Sequence, residues 1–293
     1  MSNWTELGNR CWVRRYPAWD LNVGLVAGSD GVLVVDTRAS VPQAEELLAE
    51  IRELTDGPIR WVVNTHAHFD HTFGNSVFKA AGATVHAHEN AAAALAERGP
   101  ALQQHYRDNP GPDPAYPAIA AEVLADVAAA PLVEVDKTFA VAQVIDLGDR
   151  RVELLHLGNG HTDGDLVVVV PDVDVVFAGD LVEESAPPAY GDDSFPLEWP
   201  ETIDRLAGLL AASARVVPGH GAVVDPTFVR EQGGDLGTVA NTISGLHHNG
   251  TSLDAALAHT DDWPYPPANV QPAVRRGYEQ LGAPRRPTLP LIG

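Results

Sequence analysis

Apolar positions along the chain follow two periods. Short continuous or alternating runs at Val23 to Ala27, Val32 to Val35, Trp61 to Val63, Val152 to Leu155, Leu166 to Val170, Val173 to Phe177 and Arg215 to Val217 predict strands. Helical spacing lies between them. Val41 to Leu54 has apolar residues at 44, 47, 48, 51 and 54, one helix face, with Pro42 suited to the first turn. Glu198 to Ala212 places Ile203, Leu206, Leu209 and Leu210 on one face. Alanine-rich stretches at Asn90 to Glu97 and Tyr116 to Ala130 also predict helix, broken by Asn109-Pro-Gly-Pro-Asp-Pro114. Towards the C-terminus, helices are expected near Phe228 to Leu246, Ser252 to Ala258 and Pro272 to Leu281, with Pro264-Tyr-Pro-Pro267 as a rigid break and a proline-rich end. Interleaved strands and helices indicate an α/β class and exclude all-α and all-β folds. Without an internal repeat or a long low-complexity linker, 1–293 reads as one domain: a core of about 10–225, a helical insert of about 89–131 and a helical C-terminal extension of about 226–293.

The chemistry is concentrated directly after the apolar stretch Ile59 to Val63. There the chain reads Asn64-Thr-His66-Ala-His68-Phe-Asp70-His71, four potential metal ligands in six residues. In an extended loop, side chains two apart point to one side, so His66 and His68 can share one ion. Asp70 and His71 then point elsewhere, toward a second. Three later segments each combine a donor with glycine after an apolar stretch: Gly158-Asn-Gly-His161-Thr-Asp-Gly-Asp165, Val175-Val-Phe-Ala-Gly179-Asp180 and Val216-Val-Pro-Gly219-His220-Gly221. Glycine beside a ligand lets the backbone approach closely and adopt conformations closed to other residues.

This ordered set resembles the metallo-β-lactamase superfamily: His-x-His-x-Asp-His, then a Gly-His-Thr histidine, an acidic residue and a Gly-His. The likeness runs over about residues 10 to 225 and includes Asp30-Gly-Val-Leu-Val-Val-Asp36-Thr-Arg, similar to the strand and loop before the first motif in such proteins. It implies an αββα four-layer sandwich with metals at its open edge. It further implies one metal held by His66, His68 and His161, a second by Asp70, His71 and His220, and Asp180 bridging the two.

Two adjacent cations can hold a bridging hydroxide at neutral pH, because coordination lowers the pKa of water to roughly 7. No Ser, Cys or His nucleophile is then required. Asp70 is the candidate catalytic residue, orienting the hydroxide and taking its proton besides ligating metal. Two Zn2+ per chain are expected, although nitrogen and oxygen donors alone do not separate zinc from iron or manganese.

Composition narrows the partners. The net charge is −21 with only 19 Lys and Arg and no basic run, which argues against nucleic acid. The N-terminus lacks a basic start followed by an apolar segment, and the densest apolar run, Leu166 to Val170, is far too short for a bilayer. A cytoplasmic protein acting on a small molecule, away from membranes, is expected; oligomeric state is not legible. Cys11 is the only cysteine, so no intramolecular disulfide forms. His86, His88 and His156 are read as structural histidines, while Tyr190, Phe195 and Trp199 are candidates for lining a pocket.

The expected function is binuclear zinc-dependent hydrolysis of a small ester, thioester, lactone or amide. Several relatives fit less well. The zinc-cysteine β-lactamases carry Cys where Asp180 stands and a substrate-binding Lys where Glu183 stands; glyoxalase II differs after His161 and after Asp180. A mononuclear iron oxygenase of the persulfide dioxygenase type needs fewer ligands than the seven present.

Overall fold

In the computed structural model, which describes residues 3–114 and 116–282, the strands form two groups that meet at one edge. The first comprises β1 (Thr5–Gly8), β2 (Cys11–Tyr16), β3 (Leu21–Ala27), β4 (Val32–Val35), β5 (Ile59–Val63), β6 (Thr84–His88) and β7 (Lys137–Phe139), paired in that order. The second comprises β8 (Ala142–Asp146), β9 (Arg151–Leu155), β10 (Val167–Val170), β11 (Val175–Glu183) and β12 (Arg215–His220). A single residue pair, His220 with Leu21, joins β12 to β3.

Alternation along each strand builds the layers. Leu33, Val35 and Val63 face Val152, Leu154, Val168 and Phe177 across the space between the two groups. Their neighbours Val32, Val34 and Val62 face outward onto Ala44, Leu47 and Ile51 of α1 (Val41–Leu54) and Phe78 of α3 (Asn75–Ala80). On the other side, Val176 and Ala178 pack on Ile203 and Leu206 of α6 (Trp199–Leu209), Val229, Leu236 and Val239 of α7 (Pro226–His248), and Val270 and Ala273 of α9 (Pro267–Gly282). The result is the αββα sandwich. Burial on both faces explains why these strands read as continuous apolar runs.

Several elements differ from the sequence expectation. β1 has one large apolar residue, and β8 is largely exposed with Val144 facing solvent, so periodicity does not reveal them. The expected strand ending at Phe177 instead runs to Glu183, with Gly179-Asp180 inside it, because Leu181 and Val182 continue into the core. The alanine-rich region forms one long helix, α4 (Glu89–Asp108), which passes through Pro100. Helix α5 (Ala121–Ala129) begins later than expected because Tyr116 precedes Pro117, a context that disfavours helix. Leu95 and Tyr106 of α4 and Leu124 and Val127 of α5 pack against Phe69 and Phe73, at the turn that carries the histidine motif. The C-terminal segments are α7, the short α8 (Leu253–Leu257) and α9. The proline-rich end beyond residue 282 lies outside the described residues. No helix among the described residues is long and apolar enough to cross a membrane.

Candidate metal centre

Where β5 ends, Asn64 to His68 continue without helix, and His68 is still extended at φ −66° and ψ 151°. The short helix α2 (Phe69–Thr72) then carries Asp70 and His71, and the His71 ring lies 4.3 Å from that of His66. His161 comes from the loop between β9 and β10, Asp180 from β11 and His220 from the end of β12. All seven converge. His66, His68, His161 and Asp180 offer ligand atoms within 4.8 Å of one another, and so do Asp70, His71 and His220. His68 Nδ1 lies 2.8 Å from His161 Nε2, and Asp70 Oδ2 lies 3.6 Å from His71 Nε2 and 3.5 Å from His220 Nε2. Asp180 touches both groups: Oδ2 is 3.4 Å from His161 Nε2, 3.7 Å from His66 Nε2 and 3.2 Å from His220 Nε2, while Oδ1 is 3.2 Å from His71 Nε2.

These residues suit cations. His66 Nε2 and Asp180 Oδ1 are buried and make no hydrogen bond, each a cost of about 1–3 kcal/mol that coordination would remove. Gly219 is necessary to the arrangement, because a Cβ there would stand 1.8 Å from Asp180 Oδ1. Gly179 adopts φ +54° and passes close to Thr65, which a side chain would strike.

A surrounding shell fixes each ring. Asp36, at φ +66°, accepts from the Thr65 amide and hydroxyl and holds His71 Nδ1 at 2.8 Å. His220 Nδ1 donates to the Trp19 carbonyl at 2.6 Å, and His161 Nδ1 donates to that of Ala189 at 3.0 Å. Asp193 holds His68 Nε2 at 3.1 Å and is itself paired with Arg98 of α4 at 3.2 Å. Such partners set the tautomer and orientation of a ligating ring. Sequence reasoning missed them. Asp36, after three buried valines and a leucine, stood in the segment already singled out but without a role; Asp193 and the two carbonyls carried no signal.

Charge divides the two groups. Burial holds the pKa of His66 well below its usual value, helped by the neighbouring His71, and burial lowers that of His161 to about 4. Burial also opposes charge on His71 and His220, but the surrounding carboxylates win. Asp180, Asp70 and Asp36 raise His71 well above the usual range, and Asp180 and Asp70 bring His220 to about 10. His68 is raised too, by Asp193. Asp180 lies well below the ordinary carboxylate range: burial pushes it up, and His220, His71 and His66 outweigh that.

A cavity of about 330 Å³ opens onto His68 and Asp70, walled by Phe69, Phe73, Leu102 and Tyr116, with Arg98 at its edge. The insert therefore both packs on the sandwich and lines the space beside the centre. A neighbouring polar cavity of about 310 Å³ is lined by Arg98, Arg276, Asp163, Asp193 and Phe195. Of the three candidate lining aromatics, Phe195 lines this second cavity. Trp199 and Tyr190 are buried in the core, the Trp199 indole donating to the Leu181 carbonyl. His86 bonds Gln143, His88 bonds the Ala140 carbonyl and stacks on His156, and none of the three belongs to a metal-competent group among the described residues. Burial pushes the Cys11 thiol up to about 12, which leaves it inert.

Residues 17–221 match the sequence model of the metallo-beta-lactamase superfamily. A metallo-beta-lactamase type 2 from Bacillus sp. (strain 170) is 25% identical over 205 residues, covering 69% of this chain and 67% of that protein. A solved metallo-beta-lactamase from Pontibacter korlensis superposes with a TM-score of 0.61 at 23% identity, over 80% of this chain and 98% of the other. The stereoselective inverting sec-alkylsulfatase from Pseudomonas sp. gives a TM-score of 0.74 at 16% identity over 96% of this chain, which spans 50% of that longer protein. At these identities the two structures speak for the fold. By the family match, the fold and the ordered His and Asp motifs, the chain belongs to the metallo-β-lactamase superfamily.

Proposed function

We propose that the protein is a hydrolase that holds two zinc ions, one at each donor group, and uses water to cleave a small ester, thioester, lactone or amide. The observation that carries this reading is the position of Asp180 between the groups: Oδ2 lies 3.4 to 3.7 Å from His161 and His66 of the first and 3.2 Å from His220 of the second, and Oδ1 lies 3.2 Å from His71 of the second. Two bound cations would supply a hydroxide at neutral pH by lowering the pKa of a shared water to roughly 7. Asp70 lies at the second group and also borders the cavity, so its carboxylate is placed to orient the attacking water and receive its proton. The Phe69, Phe73, Leu102 and Tyr116 wall suits an apolar acyl or alkyl part.

A single-iron oxygenase would leave Asp70, His71 and His220 without a chemical role. Against β-lactams, Glu183 is buried beside Asp180 and His220, where an acid repels the carboxylate these drugs carry. The net charge of −21 favours a small-molecule substrate over nucleic acid. The test is metal analysis of the purified protein with a panel of activated ester, lactone, thioester, penicillin, carbapenem and, given the fold likeness to a sec-alkylsulfatase, a secondary alkyl sulfate. Close to two zinc ions and fastest turnover of an ester, lactone or thioester are expected. One iron without zinc, or efficient carbapenem hydrolysis, would overturn the reading.

A further inference from the structure

We propose that Glu183 is an additional carboxylate donor at the second metal position, beside Asp70, His71 and His220. The inference rests on the two-metal reading above and adds a ligand to it.

The strand pairing places this carboxylate. β11 and β12 pair Gly179 with Pro218 and then Glu183 with His220, so four steps along β11 oppose two along β12. Residues three apart in a regular strand face opposite sides. The extra residues bulge from β11 and re-aim its side chains, as bulges do beside functional sites. Asp180, Glu183 and His220 consequently offer ligand atoms within 4.8 Å of one another. Helix α7 holds this shape from behind. Gln232 Oε1 accepts from the Glu183 amide at 3.0 Å, and Gln232 Nε2 donates to the Leu181 carbonyl at 2.9 Å.

The surroundings call for a cation. Glu183 is 7% exposed and shares its site with a second buried carboxylate, Asp180, whose Oδ1 accepts no hydrogen bond. Two buried carboxylates closing on one histidine can be balanced by a proton on His220 or by a bound cation in its place. Ser185 Oγ donates to Glu183 Oε1 at 2.7 Å, filling one of the roughly four acceptor sites of a carboxylate. No Lys or Arg is bonded to Glu183 among the described residues.

The added donor makes the two positions chemically unequal. The first offers three imidazoles and a share of Asp180; with Glu183, which reaches the second through His220 and Asp180, that position would offer two imidazoles and up to three carboxylates. Oxygen donors suit harder ions, so manganese should replace zinc more readily at the second position than at the first.

The experiment is stepwise metal titration of chelator-stripped wild type, Glu183→Gln and Glu183→Asp against a chromophoric chelator, with cobalt visible spectra as a second readout. Wild type should bind two equivalents. Glu183→Gln should bind the second about 10–100-fold more weakly, a range borrowed from losses of outer-shell partners, with the first unchanged and the cobalt bands of the second step altered. Glu183→Asp keeps the charge but withdraws it by one methylene, and should lie between the two. Melting of the stripped proteins checks folding, and the metal-induced rise in Tm should be smaller for Glu183→Gln. Wild-type affinity and spectrum for the second equivalent in Glu183→Gln would overturn the ligand assignment and leave the two-metal reading standing. A single equivalent in wild type would overturn both.

Discussion

The two donor groups share a carboxylate and lie side by side, yet their electrostatics are opposite. His66 and His161 have lowered pKa values and present unprotonated nitrogens at neutral pH, whereas His71 and His220 are held protonated by Asp70, Asp180 and Asp36. A cation entering the first group meets open lone pairs on His66 and His161, with His68 alone raised; one entering the second meets two raised histidines and must displace protons. The difference follows the carboxylates, Asp70, Asp180 and Asp36, that face His71 and His220. Adjacent sites built from the same residue types can therefore load by different rules.

Removing the shared element should have the largest effect. Asp180→Ala deletes the anion common to both groups and is expected to lower the affinity of both by more than about 100-fold, exceeding the usual loss from an outer-shell change. Asp180→Asn, which keeps the shape, should also weaken both. Metal content after dialysis measures this, and an effect confined to one ion would remove the bridge.

The outer contacts offer a sharper division. Asp36→Asn should weaken the second step by about 10–100-fold, because Asp36 fixes His71, and Asp193→Asn should do the same to the first through His68. Equal effects of either variant on both steps would erase the distinction. Arg98→Ala should follow Asp193→Asn with a smaller loss, since Arg98 is half exposed.

Proton release provides the next test. For His71 and His220 the Nδ1 proton stays with Asp36 and the Trp19 carbonyl, so Nε2 must give up its proton to bind metal. With His220 at about 10 and His71 also raised, the second step should release protons and tighten as pH rises from 6 toward about 10. The first step should depend on pH less steeply, with His68 as its main proton source.

The smallest expected effect lies outside the metals. Leu102→Ala trims the cavity wall without touching a ligand and should raise KM for an ester with an apolar chain about 3–10-fold, from roughly 1 kcal/mol of lost contact, with metal content unchanged.

How much was legible in the sequence follows the same line between local and distant causes. Helix α1 forms over Val41–Leu54, the span its periodicity and Pro42 indicate, and the seven donor positions could be marked because glycine or a dense cluster accompanies each. What lay hidden depends on contacts far apart in the chain. Gly99-Pro100 suggests a break, yet α4 continues because Leu95, Gln103 and Tyr106 are buried, and Gly99 packs against Leu132. Asp193 is one of two adjacent acids in a polar loop, and only folding brings it to His68, 125 residues away. Trp199 and Tyr190 looked like pocket aromatics, but the outer helices claim them for the core.

The most direct measurement is calorimetric titration of the metal-stripped protein with zinc in buffers of different ionisation enthalpy. Two successive equivalents are expected, the second releasing more protons than the first. A single equivalent, or two that release protons equally, would contradict the division between the donor groups.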